Sequence, residues 1–240
     1  MADPSDVVRA LPPGARAVLL DVEGTVGDVT FVQQVLFPYA RERLASFVAR
    51  NASVPEVAPL LAEAARAASV AVEDSDAVVR ALLAWSDANA KVGALKALQG
   101  MIWREGYEGG ALRAPVYEDV PDSLHAWHAR GLDLAIYSSG SVLAQRLYFA
   151  HSSAGDLTPL LSAYFDTAIG AKGESASYTR IAGALGVDVG AACFFSDAPA
   201  EIDAARAAGM WAVRVDRTRP PHASGRDGAG NEWWGGIGEG

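Results

Sequence analysis

The hydrophobic pattern divides the chain into parts with different periodicity. Short apolar runs lie at 17–20, 132–137, 192–195 and 211–215, interrupted only by Asp133 and Arg214, and a weaker run lies at 164–169. Runs this short and this apolar are typical of strands in a parallel sheet that is covered on both faces. Segments with helical spacing alternate with them, at 122–129, 142–150, 178–185 and 199–208. This strand–helix alternation predicts an α/β fold with a doubly wound parallel sheet and right-handed crossovers.

The middle of the chain has a different pattern. Residues 33–113 are rich in Ala, Leu and Glu and poor in strand-like runs, and helical spacing recurs at 56–68, 76–90 and 91–103. We therefore expect a core formed by residues 1–32 and 114–217, with a helical cap inserted at 33–113. The pattern leaves one alternative open, which is that these helices simply cover the sheet.

The last segment, residues 218–240, contains Pro220, Pro221 and many glycines. This composition predicts an irregular and mobile C-terminal tail. Trp233 and Trp234 are unusual in such a tail, because large aromatic side chains are normally buried. The sequence leaves open whether they dock on the domain or on a partner subunit.

Composition and charge narrow the class of protein. Half of the 240 residues are hydrophobic, which is enough for a sizeable core. The formal net charge of −9 argues against a binder of nucleic acid or of anionic membranes, but it leaves a small phosphorylated substrate possible. Cys193 is the only cysteine, so an intramolecular disulfide is impossible, and its apolar neighbours predict a buried thiol. Without a signal-like start or a membrane-length apolar run, we expect a cytoplasmic protein. We also expect a monomer.

Polar residues follow four of the predicted strands. In an open parallel sheet, ligands bind at the carboxyl ends of the strands. These ends carry Asp21 and Glu23, Ser138 and Ser139, Lys172, and Asp197 with Glu201. Carboxylates can bind Mg²⁺, a lysine and hydroxyls can bind phosphate oxygens, and an aspartate can attack phosphorus. Each residue alone has an ordinary explanation, such as helix capping or surface charge, but their recurrence at four strand ends predicts one phosphate-handling site.

The residues themselves then reveal a resemblance. The run Asp-Val-Glu-Gly-Thr at 21–25 resembles the first motif of the haloacid dehalogenase-like (HAD-like) superfamily. Further stretches resemble the acireductone synthase family, also called the enolase-phosphatases of methionine salvage; they lie at 31–40, 98–107, 116–121, 136–145, 151–160 and 164–172. The resemblance spans roughly residues 16 to 215. It implies a HAD-like Rossmannoid core with an inserted cap.

The resemblance also implies an activity and a role for each candidate residue. The family enolises 2,3-diketo-5-methylthiopentyl-1-phosphate and then dephosphorylates it, with Mg²⁺ as cofactor. By position, Asp21 is the nucleophile and a metal ligand, Glu23 acts at the metal and in proton transfer, and Asp197 is the last metal ligand. Lys172 matches the lysine that binds the phosphate and takes part in catalysis. The substrate-binding pair corresponds to Ser138 and Ser139.

The chain departs from the family pattern at two places near the site. Val26 and Gly27 replace a threonine and part of a proline-containing turn, and Ala-Pro-Ala-Glu-Ile follows Asp197 where the family has Val-Val-Glu-Glu-Leu. In the cap, Val-Gly-Ala at 92–94 replaces a more usual threonine-bearing string. The altered first loop and cap motivate an alternative, a related HAD phosphatase acting on another phosphorylated ketose or on a metabolite of a specialised pathway. A binding or regulatory protein on a decayed catalytic fold is a third possibility, and the retained Asp21, Lys172 and Asp197 argue against it.

Overall fold

The structure, a computed structural model, describes residues 10–228 and 231–239. Residues 1–9 of the predicted core and residues 229, 230 and 240 of the predicted tail lie outside this range. The chain divides into two compact units. One comprises the residues up to Val29 together with those from Ala114 onward, and the other is Thr30–Arg113. That the second unit acts as a cap stays a prediction.

The first unit is built on a seven-stranded sheet with the order β3-β2-β1-β4-β5-β7-β6. Every neighbouring pair is parallel except β6 and β7. The strands are β1 (Ala17–Leu20), β2 (Asp133–Tyr137), β3 (Ala163–Phe165), β4 (Ala192–Ser196), β5 (Trp211–Val215), β6 (Ser224–Arg226) and β7 (Glu232–Trp234). At the centre, Leu20 is in register with Ile136 on one side and Phe195 on the other.

Helices cover both faces of this sheet. They are α5 (Asp119–Ala129), α6 (Val142–Ala150), α7 (Ser175–Leu185) and α8 (Pro199–Ala207). Because side chains alternate along a strand, Leu19 and Phe194 pack with Tyr178 of α7 on one face. On the opposite face, Phe195 stacks against Trp127 of α5, with 5.5 Å between the ring centroids. The predicted doubly wound α/β sheet is therefore confirmed.

The second unit, Thr30–Arg113, is helical. It contains α1 (Phe37–Asn51), α2 (Ala58–Ala68), α3 (Ser75–Asp87) and α4 (Gly93–Glu108), preceded by a π-helical turn at Val32–Leu36. The sequence pattern had given no boundaries for α1, whose first turn contains Pro38 and continues directly from the π-helical turn. The indole of Trp103 donates a 2.7 Å hydrogen bond to the carbonyl of Leu36 and so ties α4 to the π-helical turn.

One predicted strand is shorter than expected. The run 164–169 predicts a strand of six residues, whereas β3 ends at Phe165. The side chain of Asp166 accepts a 2.9 Å hydrogen bond from the backbone N–H of Ala168, and this turn ends the strand. Gly170, with a φ of +146°, then leads the chain toward Lys172.

The prediction of an irregular tail at 218–240 is wrong at 224–226 and 232–234, where the structure has strands. β6 and β7 lie within it, and β7 pairs with the edge of β5. Trp234 is fully buried against Phe195 and Trp211. The edge that β7 pairs with belongs to β5, which lies outside the tail, so the local Gly- and Pro-rich composition carried no sign of the pairing. The tryptophan docks on its own domain, which is one of the two possibilities left open.

Two smaller expectations about the chain can be compared with the structure. Cys193 is fully buried in β4, as predicted, and burial raises the pKa of its thiol to about 12. Within the described residues, no helix has both the length and the apolar character needed to cross a bilayer.

Candidate active site

Asp21 stands directly after β1, at the carboxyl edge of the sheet. Its backbone N–H donates a 3.0 Å hydrogen bond to the carbonyl of Phe195, which extends the β1–β4 ladder by one residue. The side chain is only 3% exposed, an unusual degree of burial for a carboxylate. Strand pairing thus fixes the backbone of the predicted nucleophile.

The loop after Asp21 is a tight turn. The carbonyl of Val22 accepts hydrogen bonds from three successive backbone N–H groups, those of Thr25, Val26 and Gly27. Gly24 has a φ of +80°, and a Cβ at this position would collide with the carboxylate of Asp197. Glycine at this position therefore leaves room for the carboxylate of Asp197 beside the loop that follows Asp21.

Lys172 reaches this edge from the loop between β3 and α7. Its Nζ lies 2.5 Å from Oδ1 of Asp21 and 2.8 Å from Oε2 of Glu201. Glu201 lies in the first turn of α8. Burial opposes the charged form of the lysine, but Asp21 and Glu201 outweigh it and raise the pKa of the ammonium. Lys172 is therefore a charged donor that is held at the predicted nucleophile.

Three side chains hold the loop that carries Lys172. Tyr137 donates a 2.9 Å hydrogen bond to the carbonyl of Gly170, and Ser177 donates a 2.8 Å bond to that of Ala171. Tyr178 donates a 2.7 Å bond to the carbonyl of Lys172 itself. These bonds fix the backbone from which the lysine side chain extends.

The two predicted substrate-binding serines follow β2. Ser138 is buried, and its hydroxyl lies 3.4 Å from Oε2 of Glu23 and accepts a 3.0 Å hydrogen bond from the N–H of Gly140. Ser139 occupies the same turn and is exposed. Ser141 caps α6 by accepting a bond from the N–H of Ala144.

Asp197 follows β4 and faces the loop after β1. Its backbone N–H donates a 2.9 Å hydrogen bond to the hydroxyl of Thr25, which itself lies 3.5 Å from Oδ2 of Asp21. Burial, together with the nearby charge of Glu201, raises the pKa of Asp197. The structure thus brings Asp21, Glu23, Ser138, Lys172 and Asp197 to one edge of the sheet.

The cluster contains more negative charge than Lys172 can balance. Burial is the main cause that raises the pKa of Asp21 to about 7; Lys172 works against the shift, whereas Glu201 and Glu23 add to it. Four carboxylates therefore share a poorly solvated region with one ammonium. Such a site favours the binding of a further cation, and its oxygen donors suit a hard one.

Sequence reasoning did not assign separate roles to several members of the site. It grouped Glu201 with Asp197 at a strand end, whereas the structure shows it bonded to Lys172 and, at 2.8 Å, to the hydroxyl of Ser196. The available signal was its spacing, because residues four apart on a helix share a face. Thr25 was noted only as part of the first motif, and Arg217 carried no local signal.

Comparison with known proteins decides the family. A family model described as haloacid dehalogenase-like hydrolase matches residues 15–209. An enolase-phosphatase E1 from Parvibaculum lavamentivorans is 52% identical over 203 residues, which cover 85% of this chain and 86% of that protein. The chain belongs to the enolase-phosphatase family of HAD-like hydrolases. An enolase-phosphatase E1 from Thioalkalivibrio sulfidiphilus is 47% identical over 220 residues, which cover 90% of this chain and 98% of that protein.

A solved structure has a similar fold over most of its length. The UTR4 protein of Saccharomyces cerevisiae aligns with a TM-score of 0.73 and 31% identity, and covers 86% of this chain and 92% of its own. The resemblance predicted from the sequence motifs and the HAD-like α/β core are therefore confirmed. The enzyme class, a phosphatase, is confirmed as well.

Enolase-phosphatases and other HAD-like hydrolases generally use a divalent metal ion. Within residues 10–228 and 231–239, no three acidic, histidine or cysteine side chains form a ready-made metal cage. Such a cage is not required of a hard cation such as Mg²⁺, which keeps several waters and shares its few carboxylates with substrate phosphate. The unbalanced carboxylates around Asp21 match that chemistry, so the residues fit a divalent cation.

Proposed function

We propose that this chain is an Mg²⁺-dependent enolase-phosphatase of the acireductone synthase type. Its substrate is 2,3-diketo-5-methylthiopentyl-1-phosphate, which it enolises and then dephosphorylates in methionine salvage. The observation that carries the proposal is the contact between the buried Asp21 carboxylate and Lys172, with a 2.5 Å separation of Nζ and Oδ1. A nucleophile for phosphorus and a charged donor for phosphate oxygens are thereby side by side.

In the phosphatase step, a carboxylate oxygen of Asp21 attacks phosphorus and the bond between phosphorus and the ester oxygen breaks. The leaving oxygen takes up a proton, and water then hydrolyses the aspartyl phosphate to regenerate Asp21 and release phosphate. Lys172 donates to the phosphate oxygens, and Glu201 keeps the ammonium in place. The loop bearing Ser138 and Ser139 orients the rest of the substrate.

Asp21, Glu23 and Asp197 are the residues that hold the Mg²⁺ ion in this proposal. When bound, the ion neutralises charge on phosphate oxygens and makes a neighbouring carbonyl more electrophilic. For enolisation, Glu23 accepts the proton from the carbon beside the carbonyl. Glu23 suits this role because it is half-buried, and its Oε2 lies 3.4 Å from the hydroxyl of Ser138. A residue of the helical unit is the other candidate for this base.

The departure from the family at Gly27 has a local packing reason. A Cβ at residue 27 would collide with the hydroxyl of Tyr148 and with the carbonyl of Pro115, to which that hydroxyl donates a hydrogen bond. The glycine therefore accommodates a neighbouring tyrosine of the same unit. Because packing explains this departure, it gives no reason to assign a different substrate.

The replacement Asp21→Asn tests the nucleophile. We expect phosphate release from the diketo phosphate to fall by at least about a thousandfold, because an amide neither attacks phosphorus nor binds the cation as a carboxylate does. Phosphate release is measured with and without Mg²⁺ and EDTA. The matched control is Asp133→Asn, which alters an exposed aspartate at the amino end of β2.

Three outcomes contradict parts of the proposal. Phosphate release that survives in Asp21→Asn refutes the nucleophile assignment. Full activity in EDTA refutes the metal dependence. Turnover of other phosphorylated ketoses, with none of the diketo phosphate, refutes the substrate and supports the related phosphatase instead. The cytoplasmic location and the monomeric state stay predictions.

A further inference from the structure

Arg217 lies two residues beyond the end of β5, and its side chain is 11% exposed. Its Nε donates a 2.9 Å hydrogen bond to the carbonyl of Thr25, and Nη2 donates to the same oxygen. Nη1 forms a 2.6 Å ion pair with Oδ1 of Asp119, and the guanidinium lies over the ring of Tyr117 at 4.1 Å. Only a planar group with several donors can make all of these contacts at once, so lysine is no substitute.

The residue that Arg217 holds is central to the site. Thr25 is fully buried, and its hydroxyl accepts a 2.9 Å bond from the N–H of Asp197 and lies 3.5 Å from Oδ2 of Asp21. Arg217 thus donates hydrogen bonds to the carbonyl of Thr25, the residue whose hydroxyl contacts both Asp21 and Asp197. A shift of that carbonyl necessarily shifts the hydroxyl and the two groups bonded to it.

The other end of the chain of contacts is anchored in the C-terminal segment. Oδ2 of Asp119 accepts a 2.7 Å bond from the N–H of Ile237, which is fully buried. Two residues later, Glu239 accepts bonds from the N–H of Leu11 and from the indole of Trp127. The segment that follows β7 therefore fixes Asp119 on the side opposite Arg217.

We propose that Arg217 is a positioning residue that sets the metal-binding geometry of Asp21 and Asp197 through Thr25, with Asp119 and the C-terminal segment as its fixed support. Arg217 itself does not contact the substrate. The proposal rests on the proposed function, because it takes these two aspartates as ligands of the catalytic cation. Outer-shell partners of metal ligands typically change metal affinity by about 10–100-fold when they are removed.

The test compares Arg217→Gln with Arg219→Gln in the full-length protein. Arg219 belongs to the same turn but is largely exposed, so its replacement is the matched control. We expect Arg217→Gln to bind Mn²⁺ about tenfold more weakly in an electron paramagnetic resonance titration, and to need correspondingly more Mg²⁺ for half-maximal phosphate release. A smaller folded fraction lowers the maximal rate, but it leaves both of these concentrations unchanged.

Arg217→Lys keeps the charge and provides a second variant. Its single ammonium cannot bond Thr25 and Asp119 in the same arrangement, so its Mn²⁺ affinity should lie between those of the unchanged protein and Arg217→Gln. Wild-type Mn²⁺ affinity in either Arg217 variant overturns the proposal. If neither variant folds, Arg217 serves the fold rather than the site, and the proposal is again overturned.

The same titrations separate this proposal from the proposed function. If Asp21→Asn loses phosphate release while Arg217→Gln behaves like the unchanged protein, only the role of Arg217 is refuted. If Asp21→Asn still releases phosphate, the nucleophile assignment fails whatever Arg217 does. Failure of the unchanged protein to bind Mn²⁺ refutes both.

Discussion

At the scale of single residues, Asp21 shows a conflict between function and stability. Burial is the main cause that raises the pKa of Asp21 to about 7. Lys172 opposes this shift, whereas Glu201 and Glu23 add to it. A raised carboxyl pKa means that the folded state binds a proton more tightly than the unfolded chain does. This contribution destabilises the protein as the pH rises from about 4 to about 7 and stays constant above that.

We therefore expect Asp21→Asn to stabilise the metal-free protein at pH 8 while it removes activity, because it eliminates a buried charge. The gain in melting temperature should shrink toward pH 5, where Asp21 is largely protonated. Differential scanning fluorimetry in EDTA at both pH values measures this. A lower melting temperature for Asp21→Asn than for the unchanged protein at pH 8 contradicts the explanation.

At the scale of elements, α7 does more than cover the sheet. Its first turns carry Ser177 and Tyr178, which bond the backbone of the loop before it. The ring of Tyr178 also packs against Tyr137 and Phe194. Burial raises the pKa of its hydroxyl, which stays protonated and therefore remains a donor. One helix thus connects the core of the sheet to the position of Lys172.

Replacement of Tyr178 by Phe keeps the ring and removes only the hydrogen bond to the carbonyl of Lys172. We expect a loss of about 1–2 kcal/mol in the free energy of unfolding, because that buried carbonyl loses its donor. The rate of phosphate release should fall several-fold as the Lys172 loop loosens. Urea unfolding and steady-state kinetics provide the two measurements.

Tyr164→Phe is the matched control for this change. The hydroxyl of Tyr164 is also buried, but within the described part of the chain it has no hydrogen-bond partner. Its removal should leave the free energy of unfolding unchanged or slightly higher, because an unpaired polar group leaves the interior. Equal losses in the two variants would show that the bond to Lys172 contributes nothing.

At the scale of the whole molecule, the C-terminal segment completes the first unit. β7 covers the edge of β5, and Trp234 fills the space beside Phe195 and Trp211. Beyond it, Ile237 and Glu239 bond residues near the beginning and the middle of the unit. Segments that are far apart in the sequence are thereby joined into one core.

Trp234→Ala tests this contribution. We expect a loss of about 3–5 kcal/mol in the free energy of unfolding, since a fully buried indole leaves a large cavity. For a chain of this size, the melting temperature should fall by about 6–20 °C. Trp233→Ala, which removes a half-buried neighbour, should cost clearly less. Similar losses in both variants would contradict the central packing role of Trp234.

The sequence by itself determined the alternation of strands and helices, the polar residues that follow the strands, and the family. These features depend on local periodicity and on covalent neighbours; Asp21, for example, must follow β1 wherever that strand lies. Only the tertiary structure decided that Glu201 forms an ion pair with Lys172 and that Arg217 bonds the carbonyl of Thr25. It also decided that the tail adds two strands to the sheet. Arg217 and Thr25, for example, are 192 positions apart. No local pattern encodes such pairings, because they arise only when packing brings the strand ends and the sheet edge together.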